Sequence, residues 1–599
     1  MKTFRKIDVI KPTKLQGFPK RLVFLDTETT EHKVNTKISE LSFKMGALIY
    51  VELDKNAEII KREIVQLYNR MDFFNWYNST LYDRRPIYFF AHNIGFDLRI
   101  LECFHEFAKM GLESEPPIVN DRTFIWIVKN IGQTLYFLDT ANFAVQTVEQ
   151  LGNDMNLPKL PMPDKNAPMS DWEAYNVQDC VILELFIVRY IQWLHTNQLG
   201  QFKLTLASQT MTTWRHKFMT VNVHIHNVMK FIELERTAYH GGRTECFYIK
   251  EFKNQHFYNL DVNSMYPYVM RNKQLPTKFV KTYKRIDPKD VLRQEKDYYF
   301  IATVKLKTDE NAYPLMHNNR LCFPVGSFET VLHHSELIYA IKHKHVAEIG
   351  LTAVYDKGYI ARDYIDFMYN MKIEAEKNGD KSTRYFAKIA MNSWYGKWGQ
   401  TNVSREIYDT PDSDDIGRIC YSYPAKRMYG QILNWFGSTV VELRSGETSI
   451  SFPAIAGAVT AESRMHLYHY MQIAGIDNVY YVDTDSIITN KMGYNNLYAA
   501  IDTTKLGYLK LEGEANYLEI RGNKDYNFGD KSRTKGKSKN AIDIKANVWE
   551  QIQFEGISQW LNIGGKSTVR ITKIVKRRSF NYTKGKLNEK TGKIFPFVF

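Results

Sequence analysis

The hexapeptide Tyr481-Val482-Asp483-Thr484-Asp485-Ser486 sets two carboxylates one residue apart, between the apolar, β-rich runs Asn478–Val482 and Ile487–Thr489. The pattern predicts a hairpin with Asp483 and Asp485 at its tip, both side chains on one side of the strand. Like charges this close repel unless a cation joins them. A hard divalent ion such as Mg²⁺ prefers oxygen ligands and bridges carboxylates to phosphates. An acidic β-turn has the same composition, since Asp and Thr are common turn residues. The remaining chemistry of the chain decides between the two.

A second acidic set lies near the N-terminus. Arg21–Thr30 reads as a buried strand ending in Asp26 and Glu28, which share one side. A second strand, Ile87–Ala91, runs into His92-Asn93-Ile94-Gly95-Phe96-Asp97. A helix follows, with Ser170 and Glu173 in capping-box spacing and apolar residues at Val181, Leu183, Leu185, Phe186, Val188 and Ile191. Tyr175 and Asp179 are one turn apart on it and share a face. Four carboxylates can hold two divalent metals about 3.5–4 Å apart and activate a water for in-line attack on a phosphodiester. Tyr175 is placed to orient that water.

A third set surrounds Asp261-Val262-Asn263-Ser264-Met265-Tyr266-Pro267, after the strand-like run His256–Leu260. An aspartate at a strand end is exposed enough to bind metal. The small Ser264 and the backbone around it can approach phosphates, and Tyr266 has the size to close off space beside a ribose. Downstream, a helix entered near Ser382 and stopped at Gly396 carries Arg384, Lys388, Asn392 and Tyr395 on one polar stripe. Such a stripe is either a solvated face or a nucleotide-binding face, with Arg384 and Lys388 on a triphosphate and Asn392 and Tyr395 beside base and sugar.

These elements need a large scaffold. The 599 residues exceed one core, and about three to five domains are expected. The formal charge of +14, from 80 Lys and Arg against 66 Asp and Glu, favours a polyanionic partner, nucleic acid first. Basic clusters sharpen this: Lys531–Lys539 reads as a mobile basic loop, and Lys573–Arg578 alternates basic with apolar residues. The five cysteines (103, 180, 246, 322, 420) are scattered without a Cys-x-x-Cys pair, which argues against a zinc ribbon or disulfide framework. Met1–Lys6 leads into no apolar signal core, and no stretch approaches the roughly 18 apolar residues of a membrane span. A soluble, cytoplasmic protein with no membrane partner is expected. No internal repeat is evident.

In order, Asp26 and Glu28, Asn93-x-x-Phe96-Asp97 and Tyr175-x-x-x-Asp179 resemble the DEDDy-type exonuclease domain of family B DNA polymerases, an RNase H-like fold. The resemblance implies that Asp26, Glu28, Asp97 and Asp179 bind metal, with Tyr175 catalytic beside them. It also implies that Thr29, His92, Asn93 and Phe96 hold a frayed 3′ end, where Phe96 stacks on a base whatever the sequence. The family carries a lysine upstream of the tyrosine; Lys159 and Lys165 are both candidates. The later sets resemble family B motif A (Asp261 to Pro267, with Met265 in place of the usual Leu), motif B (Lys388-x-x-x-Asn392-Ser393-x-Tyr395-Gly396) and motif C (Tyr481 to Ser486). By this resemblance Asp261, Asp483 and Asp485 are catalytic. Asp261, Val262 and Asp485 are metal positions for two Mg²⁺ ions, with Mn²⁺ able to substitute, and Asp483 supports them. Val262, Ser264, Met265, Tyr266, Arg384, Lys388, Asn392 and Tyr395 meet the nucleotide. Three further matches imply DNA contacts: Tyr239, Gly241 and Gly242 in Tyr-x-Gly-Gly, Thr460 and Arg464 in a Thr-x-x-(Gly/Ala)-Arg motif with Ser463 at the small position, and Lys524 and Tyr526 in Lys-x-Tyr.

The spacing between these motifs leaves room for two insertions and resembles the protein-primed family B polymerases of small linear-genome bacteriophages, whose insertions are called TPR1 and TPR2; ordinary long loops are the alternative. The expected architecture is α/β and α+β multidomain: exonuclease 1–205, linker and first palm segment 206–272, TPR1-like insertion 273–362, fingers 363–398, TPR2-like insertion 399–450 including the acidic turn Asp412-Ser413-Asp414-Asp415, palm 451–528 and thumb 529–599. The expected function is DNA-directed DNA polymerisation with 3′–5′ proofreading. The expected partners are template-primer DNA, dNTPs and a terminal protein as primer, and the chain is expected to act as a monomer displacing the strand ahead. A family B polymerase using only nucleic-acid primers is the alternative.

Overall fold

The strand Arg21–Lys33 opens with Leu22, Val23, Phe24 and Leu25, all fully buried. A continuous apolar run of this kind is what a strand covered on both faces requires. Leu22 and Phe24 face a core built with Cys180, Ile182, Leu183, Phe186 and Ile187 of the helix Met169–Thr196. Val23 and Leu25 face the opposite layer, with Phe73, Phe74 and Phe89. The strand pairs antiparallel with Ile38–Leu53 and parallel with Ile87–Ala91, which pairs parallel with Gln133–Asp139. This computed structural model describes residues 8–120, 122–410, 416–423, 428–565, 568–578 and 582–599. Met1–Lys6 and the acidic turn Asp412–Asp415 lie outside the described residues.

The helix does not begin with the expected capping box. It starts at Met169 behind Pro168, Ser170 lies inside its first turn, and Glu173 accepts a hydrogen bond from the Tyr68 hydroxyl at 2.8 Å. Proline just ahead of a helix is pre-set in φ and forgoes an amide the first turn leaves unpaired anyway, so it overrides the serine.

Part of the C-terminal segment 529–599, expected as the thumb, adds strands to this N-terminal sheet. Ile542–Lys545, Val548–Phe554 and Val569–Arg577 pair in succession, and Val569–Thr572 pairs with Ile38–Leu41. An ion pair from Arg570 to Glu40 (2.9 Å) joins the same edge. The last described residues then return to the centre of the molecule, where the Tyr582 hydroxyl accepts from the Cys246 amide at 3.1 Å.

The central sheet is antiparallel throughout. Its order is Thr244–Cys246, Val479–Asp483, Ser486–Asn490, Lys250–Val262, Leu509–Gly522, Asp525–Phe528 and Lys531–Arg533. The basic run at 531 is therefore partly strand rather than loop. Helix Pro453–Ala474, buried along most of its length, helps enclose the core of the central region.

The segment 273–362 is a built sheet, not a loop. Leu275–Tyr283, Tyr298–Thr308, Gly326–His333 and Val346–Gly358 form it together with Asp8–Ile10 and Val223–Ile225 from outside the expected bounds. The segment 399–450 forms four antiparallel strands, Thr401–Asp409, Gly417–Tyr423, Met428–Trp435 and Ser438–Glu447. Trp435 packs edge-on against Phe104 (5.5 Å between ring centres), tying that sheet to the N-terminal module.

Helices Arg362–Lys377 and Lys381–Trp398 form a hairpin. Asp380 caps the second by accepting from the Thr383 amide at 3.0 Å. This helix runs through Gly396 rather than stopping there. Trp394 and Trp398 are fully buried against Trp214, at 5.5 and 5.4 Å between ring centres, and that burial outweighs one exposed glycine. Among the described residues no helix is long and apolar enough to cross a membrane.

Candidate active sites

The first acidic centre is assembled from three elements. Asp26 and Glu28 come from the strand Arg21–Lys33, Asp97 from the helix Ile94–Ile100, and Tyr175 and Asp179 from the helix Met169–Thr196. The chain enters the short helix through Asn93 at φ +66°, a left-handed conformation that asparagine tolerates. Asp139 holds that turn by accepting from the amides of Ile94 (3.1 Å) and Ala141 (2.8 Å). Asp97 Oδ1 accepts from the Thr27 amide (3.1 Å) and hydroxyl (2.7 Å). Asn176 donates to Asp26, and Lys159 donates to Asp179 while lying 4.5 Å from the centre of the Tyr175 ring. Lys159, not the exposed Lys165, is therefore the lysine of this centre.

Burial pushes these acids upward, and their mutual repulsion adds to it. Asp26 is raised well above the usual carboxylate range by burial and by Asp97, Asp179 and Glu28. Asp97 is pushed up to about 8 and Glu28 to about 7, in both cases chiefly by burial. Asp179 Oδ1 is buried with no hydrogen-bond partner. Among the described residues no three acidic, histidine or cysteine side chains already converge as a metal cage, because Asp26 turns to Asn176 and Asp179 to Lys159. The donor set nevertheless fits a hard divalent cation: all oxygen, crowded with like charge, and with one oxygen left unpartnered.

Around this centre His92 contacts the Thr140 hydroxyl (3.0 Å), Asn93 is exposed, and Thr29 and Phe96 are half-buried. Phe96 meets Phe554 edge-on at 6.4 Å between ring centres. His92 and Asn93 open on a cleft of about 410 Å³ that also includes Arg122 and Gln146.

The second centre lies where the central sheet's hairpin meets the end of strand Lys250–Val262. Asp261 sits opposite Ser486, and the Val262 amide donates to the Asp485 carbonyl at 2.7 Å. The hairpin tip departs from the expected arrangement. Thr484 takes φ +65°, so Asp485 lies beyond a reversal and the two aspartates are not neighbours on one extended strand face. Asp483 is buried, accepts from the Thr244 hydroxyl (3.1 Å), and stands 3.6 Å from Lys524 Nζ and 4.0 Å from Arg533 Nη1. Asp485 is instead the electrostatic neighbour of Asp261. Asp261 is pushed up to about 7 by burial and then by Asp485, and Asp485 is raised by burial and by Asp483.

Lys388 draws down the proton affinity of both Asp261 and Asp485, which brings the helical stripe within electrostatic reach of the acid pair. Lys388 and Asn392 are exposed, Tyr395 lies against Tyr266 at 4.8 Å between ring centres, and Arg384 is 3.6 Å from Glu376. The side chains of Val262 and Met265 are buried, so only their backbone can face a ligand, while Ser264 starts the next helix at φ +52°. Two lysines escaped the sequence reading. Lys372 shares its field with Arg384, Lys388 and Lys510, and Lys510 sits directly opposite Asp261 across the sheet. Only strand register could have revealed Lys510. Lys372 carried the fainter signal of lying on the helix that precedes the stripe.

Some expected DNA contacts are turned inward. Arg464 is only 2% exposed; it donates to the carbonyls of His240 (3.0 Å) and Gly241 (2.9 Å) and pairs with Glu336 at 2.8 Å. Thr460 is also buried and donates to the Gly457 carbonyl at 3.1 Å. A buried guanidinium needs such partners, and they position the Tyr239–Gly242 backbone instead of touching a ligand. Gly242 is required for a close approach: a Cβ there would stand 2.9 Å from Thr484 Cγ2 and 3.1 Å from the Tyr266 hydroxyl. Gly241 has open space and Tyr239 is half-buried. Lys524 is exposed, and Tyr526 packs at 5.1 Å from Tyr481.

Residues 161–434 match the family model described as DNA polymerase type B, organellar and viral. A probable DNA polymerase of Neurospora intermedia is 27% identical over 331 residues, covering 51% of this chain and 32% of that protein. The DNA-directed DNA polymerase of Enterobacteria phage PRD1 is 26% identical over 317 residues, covering 49% of this chain and 50% of that protein. The chain spans between 24% and 50% of the length of the curated relatives it matches. The fold is similar to that of Phi29 DNA polymerase solved with primer-template DNA and incoming nucleotides, with a TM-score of 0.63 at 16% identity, over 94% of this chain and 100% of that one. The form solved with single-stranded DNA gives 0.60 at 17% identity, covering 93% and 92%. The chain is thus similar over part of its length to type B DNA polymerases of organellar and viral kind, and it shares the multidomain α/β fold of Phi29 DNA polymerase.

Proposed function

We propose that this chain is a DNA-directed DNA polymerase whose nucleotidyl transfer runs at Asp261 and Asp485 and whose 3′–5′ exonuclease runs at Asp26, Glu28, Asp97 and Asp179. The observation that carries the polymerase reading is the Asp261–Asp485 pair beneath the Lys388 stripe. Oxygen-donor acids lie on one side and cations for a triphosphate on the other, as phosphoryl transfer requires. Divalent ions held by these acids would lower the pKa of the attacking hydroxyl and neutralise leaving-group charge. The chain's own residues bind and orient. Lys388, Arg384 and Lys372 take the phosphates, Tyr266 and Tyr395 wall the sugar, and Lys524 with Tyr526 steadies the primer strand. Asp483, engaged by Thr244, Lys524 and Arg533, shapes the hairpin rather than leading the chemistry.

At the N-terminal centre, Lys159 orients Asp179 and Tyr175, Thr27 fixes Asp97, and His92, Asn93, Phe96 and Thr29 receive an unpaired 3′ end. In this reading the exonuclease domain is 1–205, palm segments flank the hairpin, the helical hairpin is the fingers, and the sheets at 273–362 and 399–450 are the TPR1-like and TPR2-like insertions. The ordered sheet at 273–362 supports priming by a terminal protein, because a built insertion offers a surface that a plain loop lacks. Incubating the full chain with labelled dNTP, Mg²⁺ and a candidate terminal protein, without DNA primer, tests this. A labelled protein product is expected. Labelling only when an oligonucleotide primer is supplied would assign the chain to nucleic-acid primers alone.

A further inference from the structure

A cleft of about 450 Å³ opens between the sheet at 273–362 and helix Pro453–Ala474, away from both acidic centres. Its relation to the second centre is set by the helix Met265–Asn272. Ser264 at the start of that helix adjoins Asp261, while Asn272 and Lys273 at its far end line the cleft. Eight residues of helix separate the two by about 12 Å.

The lining is built for an anion with an aromatic part. Lys273, Lys342 and Lys357 all contribute to it. Lys273 is held by the buried Glu462 at 3.1 Å, and Lys342 by Glu295 at 3.1 Å. Lys357 donates to the Glu295 carbonyl at 2.6 Å and lies in the field of Glu462, Asp297 and Glu295 without a close ion pair among the described residues. Lys342 is 53% exposed along its side chain, so its ion pair is weak and open to competition. The first turn of helix His334–Lys342 brings in two more groups: His334 Nδ1 and Ser335 Oγ are buried without a hydrogen-bond partner. Burial and the three lysines hold His334 down to about 3, which leaves a neutral imidazole able to bond a ligand. The aromatic wall consists of Tyr339, stacked on His343 at 3.8 Å between ring centres, and Tyr359, 41% exposed. Hydrogen bonds from the Tyr339 hydroxyl to Glu310 (2.7 Å) and from Gln472 to it (2.6 Å) fix the first ring.

We propose that this cleft is a second nucleotide-binding site, taking phosphate on Lys342, Lys357 and Ser335 and a base against Tyr339 and Tyr359. Unpartnered polar atoms under a cationic rim call for phosphate oxygens, and a tyrosine wall suits a base irrespective of its identity. The nucleotide is either free or part of a single strand crossing the insertion. The site stands independently of which reaction Asp261 and Asp485 perform.

Photolabelling of the full chain with 8-azido-dATP in EDTA, mapped by mass spectrometry, tests it. A parallel arm uses a single-stranded oligonucleotide carrying 5-iodouracil. Label is expected on peptides containing Tyr339, His343 or Tyr359. The double variant Lys342→Gln, Lys357→Gln should reduce it by about tenfold, while extension of a synthetic primer-template is unchanged. Competition by dATP assigns a free nucleotide, and competition by the oligonucleotide alone assigns a strand. Label confined to the Asp261 and Lys388 peptides, label indifferent to the double variant, or competition by an acidic peptide in preference to either nucleotide probe would overturn the proposal.

Discussion

The two acidic centres solve one problem in different ways. In the N-terminal centre three of the four acids have a dedicated protein donor: Thr27 for Asp97, Asn176 for Asp26, Lys159 for Asp179. In the central one, the carboxylates of Asp261 and Asp485 receive no side-chain hydrogen bond among the described residues; the nearby donors go to Asp483. A site with internal counter-charge stays assembled without its ligand. The cations near Asp261 and Asp485, namely Lys510, Lys524 and Lys388, act through their field rather than through hydrogen bonds, so on the proposed reading this site would need its ligands to complete it. On the proposed reading, the first would be a trimming site that accepts any frayed end and the second a synthetic site that closes only on a matched nucleotide.

The contrast can be broken by mutation. Asp485→Asn and Asp261→Asn should each lower primer extension by on the order of 10³-fold, whereas Asp483→Asn, with its own donors, should cost about 10–100-fold; equal losses in all three would erase the distinction between Asp483 and Asp485. At the other centre Lys159→Ala should slow single-strand trimming by about 10–100-fold while Lys165→Ala leaves it alone. The reverse pattern in a gel-based degradation assay would remove Lys159 from the site.

Smaller effects sharpen the same picture. Neutralising Lys531, Lys535 and Lys537 should flatten the salt dependence of duplex binding by about 2–3 in log–log slope; an unchanged slope means that the 531–537 strand and turn meet no phosphate. The metal-free protein should also lose stability as pH rises. Asp97 is pushed up to about 8 and Glu28 to about 7 in the folded state, while the unfolded chain releases these protons near pH 4. Between those values the folded state binds more protons, so each step upward in pH favours unfolding. A melting temperature in EDTA should therefore fall from pH 5.5 to 8, and Mg²⁺ should offset the fall. A flat profile would mean that burial does not raise these acids in the folded state.

Much of this was legible in the sequence because it is local. Strand-borne acids after Leu22–Leu25, the Tyr175–Asp179 spacing and the Arg384–Tyr395 stripe all depend on period and neighbours; the structure brings the first two to one centre and Lys388 of the stripe within the field of Asp261 and Asp485. What stayed open or hidden depended on distant chain. The choice of Lys159 over Lys165 required knowing which one reaches Asp179. The burial of Arg464 required Glu336 and the His240–Gly241 carbonyls, and the pairing of Val569–Thr572 with Ile38–Leu41 joins opposite ends of the chain. The hairpin tip differs for another reason: Thr484 takes a positive φ at a point where Gly242 packs closely against it, a contact between residues far apart in sequence.

The separation of the two chemistries is tested most directly on one substrate, a primer-template with a mismatched 3′ end supplied with dNTPs and Mg²⁺ and followed on a sequencing gel. The unaltered chain should trim and then extend. Asp485→Asn should only shorten the primer, and Asp26→Ala with Glu28→Ala should leave the mismatch untrimmed while extending a matched primer normally. Loss of both activities together in either variant would contradict two independent centres.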